Sequence, residues 1–135
     1  MEAENAADLT LLKQLASTFS NNVMTVSGQQ RKSLHLAAVF CCNFANHCSA
    51  IADFLLEEQD IPFNVMLPLI KETTAKLSQC TPREAQTGPA VRDDKKVMDN
   101  HVCALEKAGH ADLAQIYRMM SDSIMAFKQK EHCNK

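Results

Sequence analysis

The stretch from Gln29 to Gln59, QQRKSLHLAAVFCCNFANHCSAIADFLLEEQ, decides the fold. It contains neither Gly nor Pro, so nothing in it interrupts a helix, and a continuous one would run about 45 Å at 1.5 Å per residue. Apolar residues recur at three- and four-residue steps, at Leu34, Ala37, Ala38, Cys41, Phe44, Ala45, Cys48, Ile51, Ala52 and Leu55. That is one stripe of an amphipathic helix. A second stripe, His35, Val39, Asn43 and His47, steps by four and is mostly polar. A helix with these two sides packs a core with one and lines a cleft with the other. A compact body of 135 residues is only about 35–40 Å across. The helix over 29–59 therefore reaches past one subunit's core, and sharing it in a homodimer is the natural expectation.

Ser33 to Ala52 has no Asp, Glu, Lys or Arg over about the length needed to cross a bilayer. It does carry Ser33, His35, Asn43, Asn46, His47 and Ser49, groups that are costly in hydrocarbon. The segment reads as a helix buried in protein, not in a membrane.

Upstream the character changes. Asp8 is placed to cap a helix with Leu11, Leu12, Leu15, Ala16 and Phe19 at helical spacing. Asn21-Asn22 breaks it, and Val23 to Val26 form a short strand-like run. A strand needs a neighbour, because an isolated one leaves its backbone groups unmatched. No other convincing strand follows, so residues 1–27 read as the last helix and strand of a sheet domain whose remainder lies elsewhere.

Downstream, Asp60-Ile61-Pro62 ends the long helix, and Pro68 kinks the next pattern or marks its true start. Thr81-Pro82 opens a short turn, and the loop Gln86 to Ala90 follows. Asp93 or Asp94 caps a helix that ends near Gly109, and a last helix runs from about Ala111 to Lys128. Its inward side is expected to carry Leu113, Ile116, Tyr117, Met120, Ile124 and Phe127. With three Gly and four Pro in the chain, turn chemistry is too scarce for a many-stranded sandwich. The fold class is mostly α, a helical bundle over 28–135.

A formal net charge of −2 leaves no electrostatic footprint for nucleic acid. The acidic N-terminus has no secretory pattern, so a cytoplasmic setting is expected. Six cysteines form no CxxC pair and match neither zinc spacing nor a disulfide framework. Adjacent Cys41 and Cys42 should point to different faces, and the set reads as reduced packing thiols. No metal is expected, since no ExxH pair occurs, and His101 and His110 read as isolated surface residues.

Two places combine polar groups with structural need. His35 and Asn43 lie about 12 Å apart along the helix axis, suited to one extended ligand and not to one ion. Each of His35 and His47 has a plainer reading as a satisfied interface or core histidine. In Gln86 to Asp94, Thr87 offers a hydroxyl, Gly88 permits close backbone approach, and Arg92 brings a planar donor fork suited to carboxylate or phosphate. A helix-connecting turn with a surface arginine accounts for the same residues by chemistry alone.

The run Arg31 to Phe40 continuing to Asn43-Phe44, then Pro68-Leu69-Ile70, then Gln86-Thr87-Gly88-Pro89-Ala90-Val91-Arg92, resembles a specific family. It is similar to the C-terminal helical domain, of unassigned function, in NADP oxidoreductases that begin with a Rossmann domain. The likeness covers roughly residues 27 to 128. Related architecture is expected in the C-terminal domains of pyrroline-5-carboxylate reductase and 6-phosphogluconate dehydrogenase, where the helical domain dimerises and closes the cleft over the nicotinamide. The resemblance implies that residues 1–27 end a Rossmann domain. It implies NADP or NAD as cofactor of the full-length protein, with no tight binding to this chain, because no GxGxxG occurs. It places the cleft signature on His35 as hydrogen-bond donor or general acid, Asn43 as orienter of substrate or carboxamide, and Thr87, Gly88 and Arg92 as holders of a polar or anionic substrate group. The whole reads as a substrate-binding and dimerisation domain, inactive without its partner domain. The alternative is a non-catalytic helical module that pairs with a copy of itself.

Overall fold

The computed structural model describes residues 3–133, with side chains through residue 128. Its helices are α1 (Ala6–Ser17), α2 (Gly28–Ala38), a π-helical segment (Val39–Phe44), α3 (Ala45–Glu57), a 3-10 turn (Phe63–Met66), α4 (Leu67–Lys76), α5 (Lys95–Lys107) and α6 (Ala111–Cys133). Two units emerge, Met1–Val65 and Met66–Lys135.

In the first unit, Asn5 caps α1 in place of the expected Asp8. The Asp8 amide donates to Asn5 Oδ1 at 2.9 Å, and Asn5 Nδ2 donates to Asp8 Oδ2 at 2.7 Å. Asp8 thus sits in the first turn, where its charge suits the helix dipole. Among the described residues no other helix of this unit packs on α1. Its apolar side stands open, with Leu11 64%, Leu15 57% and, just beyond, Phe19 85% exposed. A 12-residue helix is marginal in water without a surface to pack on.

The expected strand at Val23–Val26 is absent, and no residue described is in a strand. A ladder needs a paired second strand, and the described residues supply none. The segment ends at a capping box: the Gln30 amide donates to Ser27 Oγ at 3.2 Å, and the Ser27 amide donates to Gln30 Oε1 at 2.8 Å. From there the helical path is unbroken through Gly28–Glu57, against the expected 29–59. It closes in a Schellman turn, with the Ile61 amide on Leu56 O and the Asp60 amide on Glu57 O, both at 3.0 Å. Asp60 takes the left-handed position, φ 55°.

The expectation that this helix is buried in protein is not met within the chain. None of its residues is buried, because the unit offers no second layer to cover it. Among the described residues it is also the one helix long and apolar enough to cross a membrane. The π segment alters the periodicity as well. An i→i+5 turn holds one more residue than an α turn, so the faces before and after it are offset by about one residue step, ~100°. The single apolar stripe from Leu34 to Leu55 is therefore two shorter stripes.

In the second unit Pro68 falls in the first turn of α4, which makes it a start and not a kink. Thr81 and Glu84 then cap each other, Thr81 Oγ1 donating to Glu84 Oε2 at 2.7 Å. Asp94, not Asp93, caps α5 by accepting from the Val97 amide at 3.2 Å. Gly109, φ 87°, ends α5 in a second Schellman turn, its amide on Glu106 O at 3.1 Å and the His110 amide on Leu105 O at 2.9 Å. The turn sends α6 back along α5, and the two pack together. The core sits here: Met98 is 9% and Ala114 0% exposed. Of the residues expected inward on α6, Met120 and Phe127 are half exposed.

Candidate functional site

Five positions carry the expected chemistry, and the two units divide them. His35 lies in the last turn of α2 and Asn43 in the π segment, both exposed. The structure places Asn43 where the backbone departs from α geometry, and π turns recur at functional positions. Beside it, Cys41 Sγ and Cys42 Sγ are 3.7 Å apart. Their expected divergence fails because the wider turn brings consecutive side chains closer. The hydrogen bond with Cys41, and then its charge, raise the Cys42 thiol above the ordinary range. Cys41, Cys42, Cys48 and Cys103 are exposed thiols and not packed ones, while Cys80 is half-buried.

Thr87, Gly88 and Arg92 are together in one turn of the second unit. The turn is held from several directions. Gln86 Nε2 donates to Thr87 O at 3.0 Å, and the Arg92 and Asp94 amides donate to Pro89 O at 3.1 and 3.0 Å. Lys128 Nζ, from α6, donates to Val91 O at 2.6 Å. Ala90 is 5% exposed and anchors the loop. Gly88 has φ 112°, which an L side chain rarely adopts, so this glycine is required by the backbone and not by crowding. The Thr87 hydroxyl and Arg92 guanidinium face solvent. They sit just before the N-terminus of α5, which favours an anion, with Asp93 and Asp94 opposing.

Several partners were not expected. His101 is not isolated: its Nδ1 lies 2.9 Å from Tyr117 Oη, with the rings edge-to-face at 5.6 Å. Arg118 bonds Glu106 at 2.6 Å. The available signal was Gly109, which folds α6 back so that residues a few turns on either side meet. Among the described residues no group of three His, Cys, Asp or Glu is placed to hold a metal ion.

Among the described residues the regular structure is all helical. The chain belongs to the family described as Domain of unknown function (DUF2520), whose model matches residues 1–124. Its structure is similar to the crystal structure of "putative NADP oxidoreductase BF3122 from Bacteroides fragilis", with 48% sequence identity and a TM-score of 0.87. That likeness covers 93% of this chain and 48% of the other, so the chain spans about half the length of that relative. No curated protein matches.

Proposed function

We propose that this chain is the substrate-binding and dimerisation domain of an NAD(P)-dependent oxidoreductase, working in the cytoplasm with a dinucleotide-binding domain. The observation that supports it most is the 48% identity to a protein titled an NADP oxidoreductase, over about half of that protein. The open apolar sides of α1 and of the helix Gly28–Glu57 agree with surfaces meant for another domain and a second copy. On this reading the bundle is of the type found in pyrroline-5-carboxylate reductase and 6-phosphogluconate dehydrogenase.

The described residues do not fit the dinucleotide itself. Pyrophosphate is held by a glycine-rich turn at a helix N-terminus. Here Gly28 begins a capped helix, while Gly88 and Gly109 lie in separate turns with no glycine beside them. The work assigned to this chain is its own: His35 donates a proton or hydrogen bond to a substrate carbonyl or imine, and Asn43 orients the substrate. Thr87 and Arg92, on the turn that Gly88 shapes, hold its polar or anionic group.

Titrating NADPH into this chain should give no saturable binding, and micromolar binding would overturn the division of labour. In an enzyme assembled with its dinucleotide domain and screened against carbonyl and imine substrates, His35→Gln should lower kcat by about 10²–10⁴ at unchanged NADPH affinity. Hydride transfer that survives the change sinks the acid role.

A further inference from the structure

A groove of about 750 Å³ lies in the second unit between the Thr81–Gln86 turn and the C-terminal half of α6. Pro82, Val91, Ile124 and Phe127 give it an apolar lining, and Arg83 and Lys128 stand in its wall. None of the five expected site residues lines it, although Gln86 and Val91, which flank Thr87 and Gly88, do. Both basic groups are fixed. The Arg83 guanidinium carbon lies 5.3 Å from the centre of the Phe127 ring, and Lys128 Nζ is held on Val91 O at 2.6 Å. Among the described residues the lining carboxylate is Glu84, which accepts from the Thr81 amide at 2.9 Å and its hydroxyl at 2.7 Å. Against Arg83 and Lys128 it leaves the lining with a net positive charge among the described residues.

Small-molecule sites fall at roughly 300–1,000 Å³ and combine apolar walls with a few placed polar groups. We propose that this groove binds a small amphipathic anion: a flat or aliphatic apolar body on Phe127, Ile124 and Pro82, and a carboxylate between Arg83 and Lys128. Two fixed cations beside an apolar floor match such a molecule in both shape and charge. An uncharged apolar ligand leaves the guanidinium unused, and a cation meets repulsion. The site shares its wall with the turn that carries Thr87 and Arg92, so occupancy bears directly on that turn through Val91.

The test uses the whole chain and two probes of one shape, 2-naphthoate and the neutral 2-naphthylmethanol, followed by amide chemical shifts. Naphthoate should give saturable shifts confined to residues 81–86, 91 and 123–128, with affinity at least tenfold above the alcohol. Arg83→Gln with Lys128→Gln should abolish that preference, while glutamine at 128 still donates to Val91 O. Equal affinity for the two probes overturns the proposal, as do shifts spread over the open faces of α1 and Gly28–Glu57. Groove amides that stay silent because a second copy covers them, shown by shifts that appear only on dilution, also overturn it.

Discussion

Two thiols sit side by side where the backbone loosens into wider turns, with Cys41 Sγ and Cys42 Sγ 3.7 Å apart. Cys42 is pushed up first by its hydrogen bond with Cys41, then by that neighbour's charge, and least by desolvation. The folded chain therefore holds this proton more tightly than the unfolded chain does. The sign follows: stability falls as pH rises above the ordinary thiol range and the unfolded state ionises first. Because the thiolate is the nucleophile, reactivity carries the same signature. At about pH 8.5, iodoacetamide should label Cys42 more slowly than Cys48 or Cys103, read by peptide mass spectrometry. Cys41→Ala removes both causes and should bring Cys42 up to their rate. Equal rates in the unaltered chain would refute the pairing. Nothing in the sequence around Cys41-Cys42 announced it, since α geometry sends consecutive side chains apart.

At the level of elements, what was legible followed from backbone chemistry. Absence of Gly and Pro from 29–59 gave the long helix to within a residue or two at each end, and Gly109 and Asp94 bracketed α5. Two misreadings share a cause. Three of the four residues from Val23 to Val26 are β-branched, yet a strand is a property of two chains and not of four residues. VFCCNF keeps an ordinary apolar period, yet its hydrogen-bond register is π, and side-chain pattern does not encode register. The candidate positions were legible as polar residues in special places, but their fixing partners were not: Lys128 reaches Val91 across 37 residues of chain. Only α5 with α6 has a described helix–helix core, and that sets a contrast. Met98→Ala should cost about 2–4 kcal/mol, and Ala114→Leu about 1–3 kcal/mol by overpacking. Leu11→Ala on the open side of α1 should cost a few tenths at most. Urea melts of the three variants check the order, and a large loss at Leu11 would mean that α1 already has a partner in the isolated chain.

Over the whole molecule, the apolar surface left open is too much for a lone subunit to carry without consequence. Leu34, Leu36, Phe40, Phe44 and Phe54, all on Gly28–Glu57, are between 44% and 63% exposed. Exposed contiguous apolar surface marks an interface or an aggregation liability. A helix about 45 Å long laid against its copy is of the length that standard interfaces of ~800 Å² per partner require. The proposed dimer then makes a prediction separable from the proposed catalytic partner. Light scattering should give twice the 15.0 kDa chain mass, with a Tm that rises with protein concentration. Phe44→Glu, at the end of the π segment, with Ile51→Glu, seven residues on in α3, should give a monomer. Phe19→Glu, at the end of α1, should leave the mass doubled, because on the proposed reading that surface meets the dinucleotide domain and not the second copy. If instead Phe19→Glu dissociates the particle and the Phe44/Ile51 pair does not, the two surfaces have exchanged roles, and the long helix faces the cofactor domain while α1 joins the subunits.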